Sequence, residues 1–90
     1  MRFEWNADKA RLNLRKHGVS FEEASTVFYD ELSATGEDPD HSLGERRFIT
    51  LGVSSAARVL AVAHADRDDV IRIISARAAT AAERRVYEEV

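Results

Sequence analysis

The sequence has 90 residues, of which 44% are hydrophobic and 32% are charged, and its net charge is −3. A chain of this length is expected to form one small domain, residues 1–90, with a modest core. Because there is no cysteine, a disulfide, thiolate catalysis and a cysteine-based zinc site are excluded. No apolar run approaches the ~20 residues of a membrane span. The first residues, MRFEWNADK, lack the apolar region of a signal peptide, so we expect a cytoplasmic protein.

The first third of the chain is predicted to form a strand and two helices. RFEW at 2–5 is typical of a short strand, and Asn6 is a good N-cap for a helix over 7–17 that ends at Gly18. SFEE at 20–23 is a capping box that predicts an immediate second helix. The apolar face of that helix would consist of Phe21, Ala24, Val27 and Phe28.

The rest of the chain is predicted to be mainly strands. Residues 30–45 are rich in Asp, Gly, Ser and Pro and indicate a loop, with a possible edge strand in LSAT at 32–35. Strands follow at 46–54, 58–64 and 70–77. A second capping box at 80–83 opens a final helix with Ala82, Val86 and Val90 along one stripe. The order βααβββα predicts an α+β domain: an antiparallel sheet with two N-terminal helices packed on it and a C-terminal helix.

Strand alternation predicts which side chains share a face of this sheet. The core face would carry Ile49, Leu51, Val53, Leu60, Val62, His64, Ile71 and Ile73. The opposite face would carry Phe48, Thr50, Gly52, Ala61, Ala63, Arg72 and Ile74. Such a shallow face with a central arginine suits an RNA backbone. Arg77 joins Arg72 there only if the strand bends or bulges, because simple alternation places the two on opposite faces.

These residue types allow cleavage of RNA by its own 2′-OH group. Arg72 and Arg77 are candidates for binding the phosphate, because a guanidinium offers two donors to phosphate oxygens and stays charged. His17 and His64 are candidates for proton transfer. Tyr87 is a candidate for proton transfer or base stacking.

Each candidate has a structural alternative. Arg72 could pair with Asp68 or Asp69 in the nearby turn, and Arg77 could pair with Glu83. His17 could cap its helix, His64 could be a satisfied core histidine, and Tyr87 could be a core-edge aromatic. Arg84 and Arg85 could be ion pairs with the glutamates four residues later. His41 is expected to be exposed, and no spacing of His, Asp and Glu predicts a metal or cofactor site.

Charge is distributed unevenly along the chain. Residues 1–19 carry a net +3, residues 20–45 carry eight acids and no Lys or Arg, and residues 46–90 carry a net +2. The pattern is either a set of differently solvated surfaces or two sites. In the second case a basic face would attract phosphate, and an acidic segment would attract a basic partner.

Three stretches resemble the BrnT family, the ribonuclease toxins of type II toxin–antitoxin pairs. They are FEWNADKARLNLRKHGVSFEEASTVF, DPDHSLGERRFITLG and IRIISARAATAAERRVYEE, which together span roughly residues 3–89. The resemblance implies a RelE-like fold, RNA cleavage without a metal or cofactor, and arrest of translation. It also implies a BrnA-type antitoxin, through which alone the toxin would reach operator DNA to autorepress its operon.

The resemblance also implies site residues. The motif positions in the first helix are Lys9, Asn13, Lys16 and His17, and those in the closing segment are Arg77, Glu83, Arg84 and Tyr87, with His64 and Arg72 in the strands before it. We expect the catalytic groups to be His17, His64, Arg72, Arg77 and Tyr87, and the RNA-binding groups to be Lys9, Asn13, Lys16, Arg84 and Arg85.

The acidic charge is a departure from this family, whose toxins are often basic. We expect the acidic segment, through Glu22, Glu23 and Asp30, to bind a basic stretch of the antitoxin. A non-catalytic corepressor that needs the antitoxin is the alternative function. A stand-alone DNA-binding domain is disfavoured, because no helix-turn-helix pattern is present.

Overall fold

The computed structural model describes residues 1–39 and 44–89. His41 therefore lies outside the described residues. The elements in chain order are β1 (Arg2–Glu4), α1 (Ala7–His17), α2 (Phe21–Thr26), a 3-10 turn (Val27–Tyr29), β2 (Ala34–Glu37), β3 (Phe48–Val53), β4 (Val59–Arg67), β5 (Val70–Ala78) and α3 (Ala81–Glu88). Among these described elements, none of the helices has the length and apolarity to cross a membrane.

The five strands form one mixed sheet in the order β1-β5-β4-β3-β2. The strands β2 to β5 pair antiparallel, but β1 pairs parallel with β5, so the prediction of an antiparallel sheet is wrong at this edge. Strands joined by short turns must reverse direction, whereas β1 is separated from β5 by most of the chain and is free of that constraint. The order also contains one strand more than βααβββα, because the edge strand considered at 32–35 forms at Ala34–Glu37.

The first helix begins and ends where the sequence predicts. The Asn6 side chain accepts a hydrogen bond from the Lys9 N–H at 3.0 Å, which satisfies one free donor of the first turn. At the other end Gly18 has a φ of 69°, a left-handed conformation that glycine adopts without strain.

The two predicted capping boxes differ in the structure. At α3 the box is complete, since Thr80 and Glu83 each bond the backbone N–H of the other. At α2 the Ser20 side chain accepts from the Glu23 N–H at 3.0 Å, but the Glu23 carboxylate is bonded to Arg58 instead. The Glu23 side chain therefore forms a long-range ion pair with Arg58 in place of its capping-box bond.

The core lies between the sheet and the first two helices. We call this side of the sheet the helix face; its buried cluster is Val19, Phe21, Ala24, Val27, Leu60, Val62, Ile73 and Ala76. Of the predicted face of the second helix, Phe21, Ala24 and Val27 belong to this cluster and Phe28 packs against it; the predicted β4 residues Leu60 and Val62 belong to it too.

The predicted face of β3 is wrong. Leu60 pairs with Gly52 and Val62 pairs with Thr50, so Gly52 and Thr50 lie on the helix face and Ile49, Leu51 and Val53 lie on the opposite one. The prediction placed the large apolar residues of β3 in the core. In the structure the 3-10 turn packs directly on Gly52, so the face with the small residue is the buried one. A Cβ there would lie 3.0 Å from the Val27 carbonyl oxygen, closer than side chains normally approach.

One buried side chain joins α1 to the sheet. Asn13 is 7% exposed, and its amide donates to the Ala76 carbonyl at 2.8 Å and accepts from the Ala76 N–H at 3.1 Å. The same amide donates to the Val19 carbonyl at 2.9 Å. Since β1 pairs with β5 only as far as Arg72, Asn13 satisfies backbone groups of β5 beyond the end of β1.

Replacing Asn13 should therefore destabilise the fold. Asn13→Ala leaves a buried N–H and two carbonyls without partners, and the free energy of unfolding in urea should fall by about 3 kcal/mol. Leu12→Ala is the matched control, because Leu12 is exposed on the same helix; its effect should stay within about 0.5 kcal/mol. A loss below about 1 kcal/mol in Asn13→Ala would contradict this account of the joint.

Candidate nucleic-acid interface

A β-bulge places the two arginines of interest on the same face of the sheet. Ala63 pairs with Ser75 but His64 pairs with Ile73, so the register shifts by one residue at Ile74. As a result Arg77 lies opposite Ala61, and Arg72 lies opposite Ala65. Because residues 61 and 65 of β4 share a face, so do the two arginines, about 13 Å apart along the strand.

This second side of the sheet is the one that α3 partly covers, and we call it the α3 face. Its β3 and α3 residues, Ile49, Leu51, Glu83 and Val86, line one groove. On β4 the floor is made of small side chains, Ala61, Ala63 and Ala65. The predicted shallow face therefore exists, with Ile49 and Leu51 in the places expected for Thr50 and Gly52.

Arg72 is the free cation of this face. Its side chain is exposed and, within residues 1–39 and 44–89, makes no hydrogen bond and no ion pair, so the structural alternative of a pair with Asp68 or Asp69 does not occur. It lines an open groove together with Glu4, Trp5 and Asn6. Trp5 is half-buried with its ring edge-on to Phe21, 6.0 Å between centroids. An arginine beside an aromatic ring is a combination that can bind a nucleotide.

Arg77 is already paired. Its Nη1 donates to Glu83 Oε1 at 2.6 Å and its Nη2 donates to Glu83 Oε2 at 3.0 Å. The Arg77 guanidinium, as the largest cause, and the Thr80 N–H lower the pKa of Glu83 to about 2, against burial, which raises it. Five N–H donors sit on a guanidinium, and Glu83 uses two of them, so Arg77 keeps donors for a phosphate.

Tyr87 and Asp30 form a second polar contact between α3 and the rest of the fold. The Tyr87 hydroxyl donates to Asp30 Oδ2 at 2.5 Å, and the same carboxylate accepts from the Val53 and Leu32 N–H groups. The hydroxyl lowers the pKa of Asp30, and the carboxylate in turn raises the pKa of Tyr87. Tyr87 therefore carries its proton at neutral pH and can act as a donor.

His64 lies inside the helix face and is 1% exposed. Its Nε2 is 2.7 Å from Thr50 Oγ1, and Thr50 Oγ1 is 2.7 Å from Thr35 Oγ1. Its Nδ1 is 2.7 Å from Asp66 Oδ1, and since a carboxylate only accepts, Nδ1 carries the hydrogen. The ring is also enclosed by two aromatic rings, Phe28 at 4.8 Å and Phe48 at 5.9 Å. His64 is thus a buried histidine with both ring nitrogens hydrogen-bonded, which is the structural alternative given for it above.

The predicted residues of α1 lie on the other side of the molecule. Lys9, Lys16 and His17 are exposed, and α1 packs on the helix face, away from Arg77. Asn13 is buried with its amide bonded to backbone, so no RNA can reach it in this fold. The expected catalytic constellation is thus divided between two surfaces and the core.

The remaining predicted residues divide in the same way. Arg84 and Arg85 are exposed on α3 and form no ion pair with any described residue, so the expected pairs with Glu88 and Glu89 are not formed. In the acidic group Glu22 is exposed, but Glu23 and Asp30 are engaged inside the chain. Arg58 is the largest cause of the lowered pKa of Glu23 and reaches it at 2.5 Å.

Sequence reasoning missed Thr35, Thr50 and Asp66. The i,i+2 spacing of His64 and Asp66 on one strand was a usable signal, because such residues share a face. The threonines could not have been found, since their contacts depend on strand register. Among the described residues, His, Cys, Asp and Glu side chains form no group of three or more that could hold a metal.

Taken together, the fold and the arginine-bearing face define a small α+β protein with a surface suited to a phosphate-containing ligand. The family model for "ribonuclease toxin, BrnT, of type II toxin-antitoxin system" matches residues 5–83. The crystal structure of the Brucella abortus ribonuclease toxin BrnT is similar, with a TM-score of 0.64 and 20% identity over 89% of this chain and 97% of that one. The curated proteins contain no match to the sequence.

Because the family model covers most of the chain, the protein belongs to the BrnT family of ribonuclease toxins. The family named from the three sequence stretches is thereby confirmed. A toxin of a type II system has an antitoxin protein as its partner, so an antitoxin is implied for this chain too. The likeness to the Brucella structure supports the fold.

The Arg77–Glu83 pair should make stability depend on pH. A carboxyl whose pKa falls from 4.5 to about 2 on folding stabilises the fold above the unfolded pKa and loses that effect as pH falls toward 2. Wild type should thus lose more free energy of unfolding between about pH 5 and 2 than Glu83→Gln does, by roughly 2 kcal/mol after solvent screening. Chemical denaturation across this range measures the difference. Glu88→Gln, which removes an exposed acid of the same helix, should follow wild type, and an unchanged profile in Glu83→Gln would refute the role of the pair.

Proposed function

We propose that this toxin cleaves RNA without a metal ion, by attack of a 2′-OH group on the adjacent phosphorus, and so arrests translation. The observation that supports this most is the bulge in β5, because it aligns Arg72 and Arg77 on one open face over a floor of alanines. Two guanidinium groups on one face can hold one strand at two points.

Arg77 is the proposed phosphate-stabilising group. Attack of the 2′-OH adds negative charge to the phosphoryl oxygens, and a guanidinium held in place by Glu83 meets that charge without having to reorganise. Some Arg77 N–H groups are used by Glu83 and by a weak contact to the Ala78 carbonyl. The remaining N–H groups are assigned to the phosphate.

Arg72 and Trp5 are proposed to position the strand. Arg72 is unpaired among the described residues and would bind a neighbouring phosphate, while the exposed part of the Trp5 ring would contact a base. Arg84 and Arg85, which are also unpaired in the described chain, would add attraction for the RNA backbone.

Proton transfer is assigned to Tyr87 and His17. Tyr87 is protonated beside Asp30 and would protonate the leaving oxygen after releasing that contact. His17, exposed at the end of α1 beside Lys9 and Lys16, would accept the proton that the 2′-OH loses, relayed through water because α1 lies away from Arg77. His64 would act through the fold, by fixing Thr50 and β3, rather than by touching RNA.

The cellular setting proposed is that of a BrnA-type antitoxin which neutralises the toxin in the cytoplasm and binds operator DNA with it, so that the pair represses its own operon. The RelE-like strand order stays a prediction. The corepressor function is the competing proposal, since Arg77 and Tyr87 are both engaged internally in this conformation.

The deciding experiment is cleavage of single-stranded RNA by the purified toxin in excess EDTA, with and without translating ribosomes. Arg77→Ala should lower the rate by about 100-fold, the size expected when one preorganised donor to the developing charge is lost. Arg72→Ala should raise the RNA concentration that gives half-maximal rate by roughly tenfold, with little change in the maximal rate. Arg67→Ala, which removes an exposed arginine paired with Glu45 at the strand turn, is the control and should cleave as wild type does.

Folding must be checked by circular dichroism, because Arg77 also supports the start of α3. Arg77→Lys keeps the charge but loses the two-pronged contact, and it should remain folded and slow. Cleavage that requires added Mg²⁺ would refute metal independence. A well-folded wild type that never cleaves, on free RNA or on ribosomes, would favour the corepressor.

A further inference from the structure

A free carboxylate lies beside the free cation of the α3 face. Glu4 is the register partner of Arg72 in the pairing of β1 with β5, and paired residues of neighbouring strands project on the same side of a sheet. Both line one open groove, together with Trp5 and Asn6. Glu4 is exposed, and within the described part of the chain its carboxylate forms no hydrogen bond and no ion pair. Its two oxygens are therefore open acceptors at the edge of the candidate interface.

Neither the RNA backbone nor the proposed cleavage step uses this carboxylate. A negative charge repels phosphate, so Glu4 opposes backbone binding at this edge. Its neighbour Arg72 lies about 13 Å along the strand from Arg77, which is beyond hydrogen-bond reach of a 2′-OH attacking the phosphate at Arg77. A nucleobase is the part of an RNA strand that offers hydrogen-bond donors to a carboxylate.

Asn6 supplies a donor next to these acceptors. Its Oδ1 accepts from the Lys9 N–H at 3.0 Å as the N-cap of α1, and this bond fixes the orientation of the amide. Its Nδ2 has no hydrogen-bond partner among residues 1–39 and 44–89, so both of its N–H groups are available. The groove thus combines two acceptors, a donor, a guanidinium and an aromatic residue.

We propose that this groove binds a guanine base of the RNA substrate and that Glu4 selects it. The Watson–Crick edge of guanine presents two adjacent donors, N1–H and N2–H, followed by the O6 acceptor. Glu4 accepts from both donors, Asn6 Nδ2 donates to O6, and Arg72 binds the phosphate of the same nucleotide. The exposed part of the Trp5 ring contacts the base.

The other three bases do not match this arrangement. Adenine and cytosine each carry a ring-nitrogen acceptor beside the amino group, and uracil carries a single N–H between two acceptors. Each of them would place an acceptor against the Glu4 carboxylate, which has no hydrogen to donate. Selection therefore comes from an unfavourable contact with the wrong bases as well as from the favourable contact with guanine.

This inference deepens the proposed function and rests on its RNA substrate, but not on cleavage, because base selection is a property of binding. The first test therefore uses hexanucleotides with 2′-O-methyl groups, which lack the attacking hydroxyl. One strand contains a guanine within uridines, two others contain adenine or cytosine at that position, and the last is uridine throughout. Affinity is measured by calorimetry and by the fluorescence of Trp5, the only tryptophan in the sequence.

The guanine strand should bind wild type roughly tenfold more tightly than the other three, which is the size of one good bidentate base contact. It should also change the Trp5 fluorescence, because Trp5 lines the groove. Equal affinity for the four strands would overturn the proposal. Binding that leaves the Trp5 fluorescence unchanged would place the RNA outside this groove and would overturn it too.

The second test asks which residue selects the base. In Glu4→Gln one acceptor becomes an amide donor, and the guanine preference should fall below about threefold. Asn6→Asp keeps a good N-cap but loses the donor to O6, so the preference should fall while the helix content measured by circular dichroism stays the same. Glu31→Gln is the matched control and should keep the preference: it removes one exposed acid in the turn before β2, at the opposite edge of the sheet.

The variants separate base selection from a simple effect of charge. If Glu4→Gln binds all four strands more tightly with the guanine preference unchanged, Glu4 acts only by its charge and the proposal is wrong. Wild type that prefers guanine but cleaves no RNA would contradict the proposed cleavage and leave this site standing. Wild type that cleaves RNA but binds the four strands equally would do the reverse.

Discussion

The bulge at Ile74 decides what each face of the sheet presents. Without it Ile73 and Ala76 would point to opposite sides, yet both belong to the buried cluster on the helix face. The same extra residue brings Arg72 and Arg77 to a common side. The bulge therefore determines both the core packing and the candidate site. Asn13 bonds the Ala76 backbone and so fixes β5 two residues beyond the bulge.

The α3 helix is held to the domain by polar contacts rather than by a core of its own. It has no buried residue, and its links to the sheet side are Arg77–Glu83 and Tyr87–Asp30. Both links contain a residue that we also assign to cleavage. Substitutions at these positions must therefore be interpreted with a stability measurement beside them, since activity and the attachment of α3 depend on the same atoms.

The buried polar chain from Asp66 through His64 and Thr50 to Thr35 plays a comparable role within the helix face. It crosses β4, β3 and β2, and all of its buried groups have partners, which makes the pairing of these strands specific. A histidine that looks catalytic in the sequence is thus used to fix the sheet. Its neighbour Asp66, two residues away, was the clue that local sequence offered.

The helices and their ends could be predicted from sequence because they depend on near neighbours. Asn6, Gly18 and Thr80 act within four residues along the chain, and the apolar spacing of α2 requires no knowledge of its partner. The family could be named for the same reason, since short motifs carried the resemblance. Arg72 and Arg77 could also be named from the sequence as candidates for binding phosphate, because that choice depends on residue type alone.

What only the tertiary structure decided was which of those residues meet. Strand register decides which face of the sheet each side chain occupies, and a shift of one residue exchanges the faces. Ile49 and Leu51 lie on the α3 face, and Arg72 shares that face with Arg77, because of strand pairings that no local pattern specifies. The capture of Glu23 by Arg58 joins groups 35 residues apart and displaced a well-formed local motif. The sequence determined the elements and the chemical groups; long-range packing determined which groups are free to act.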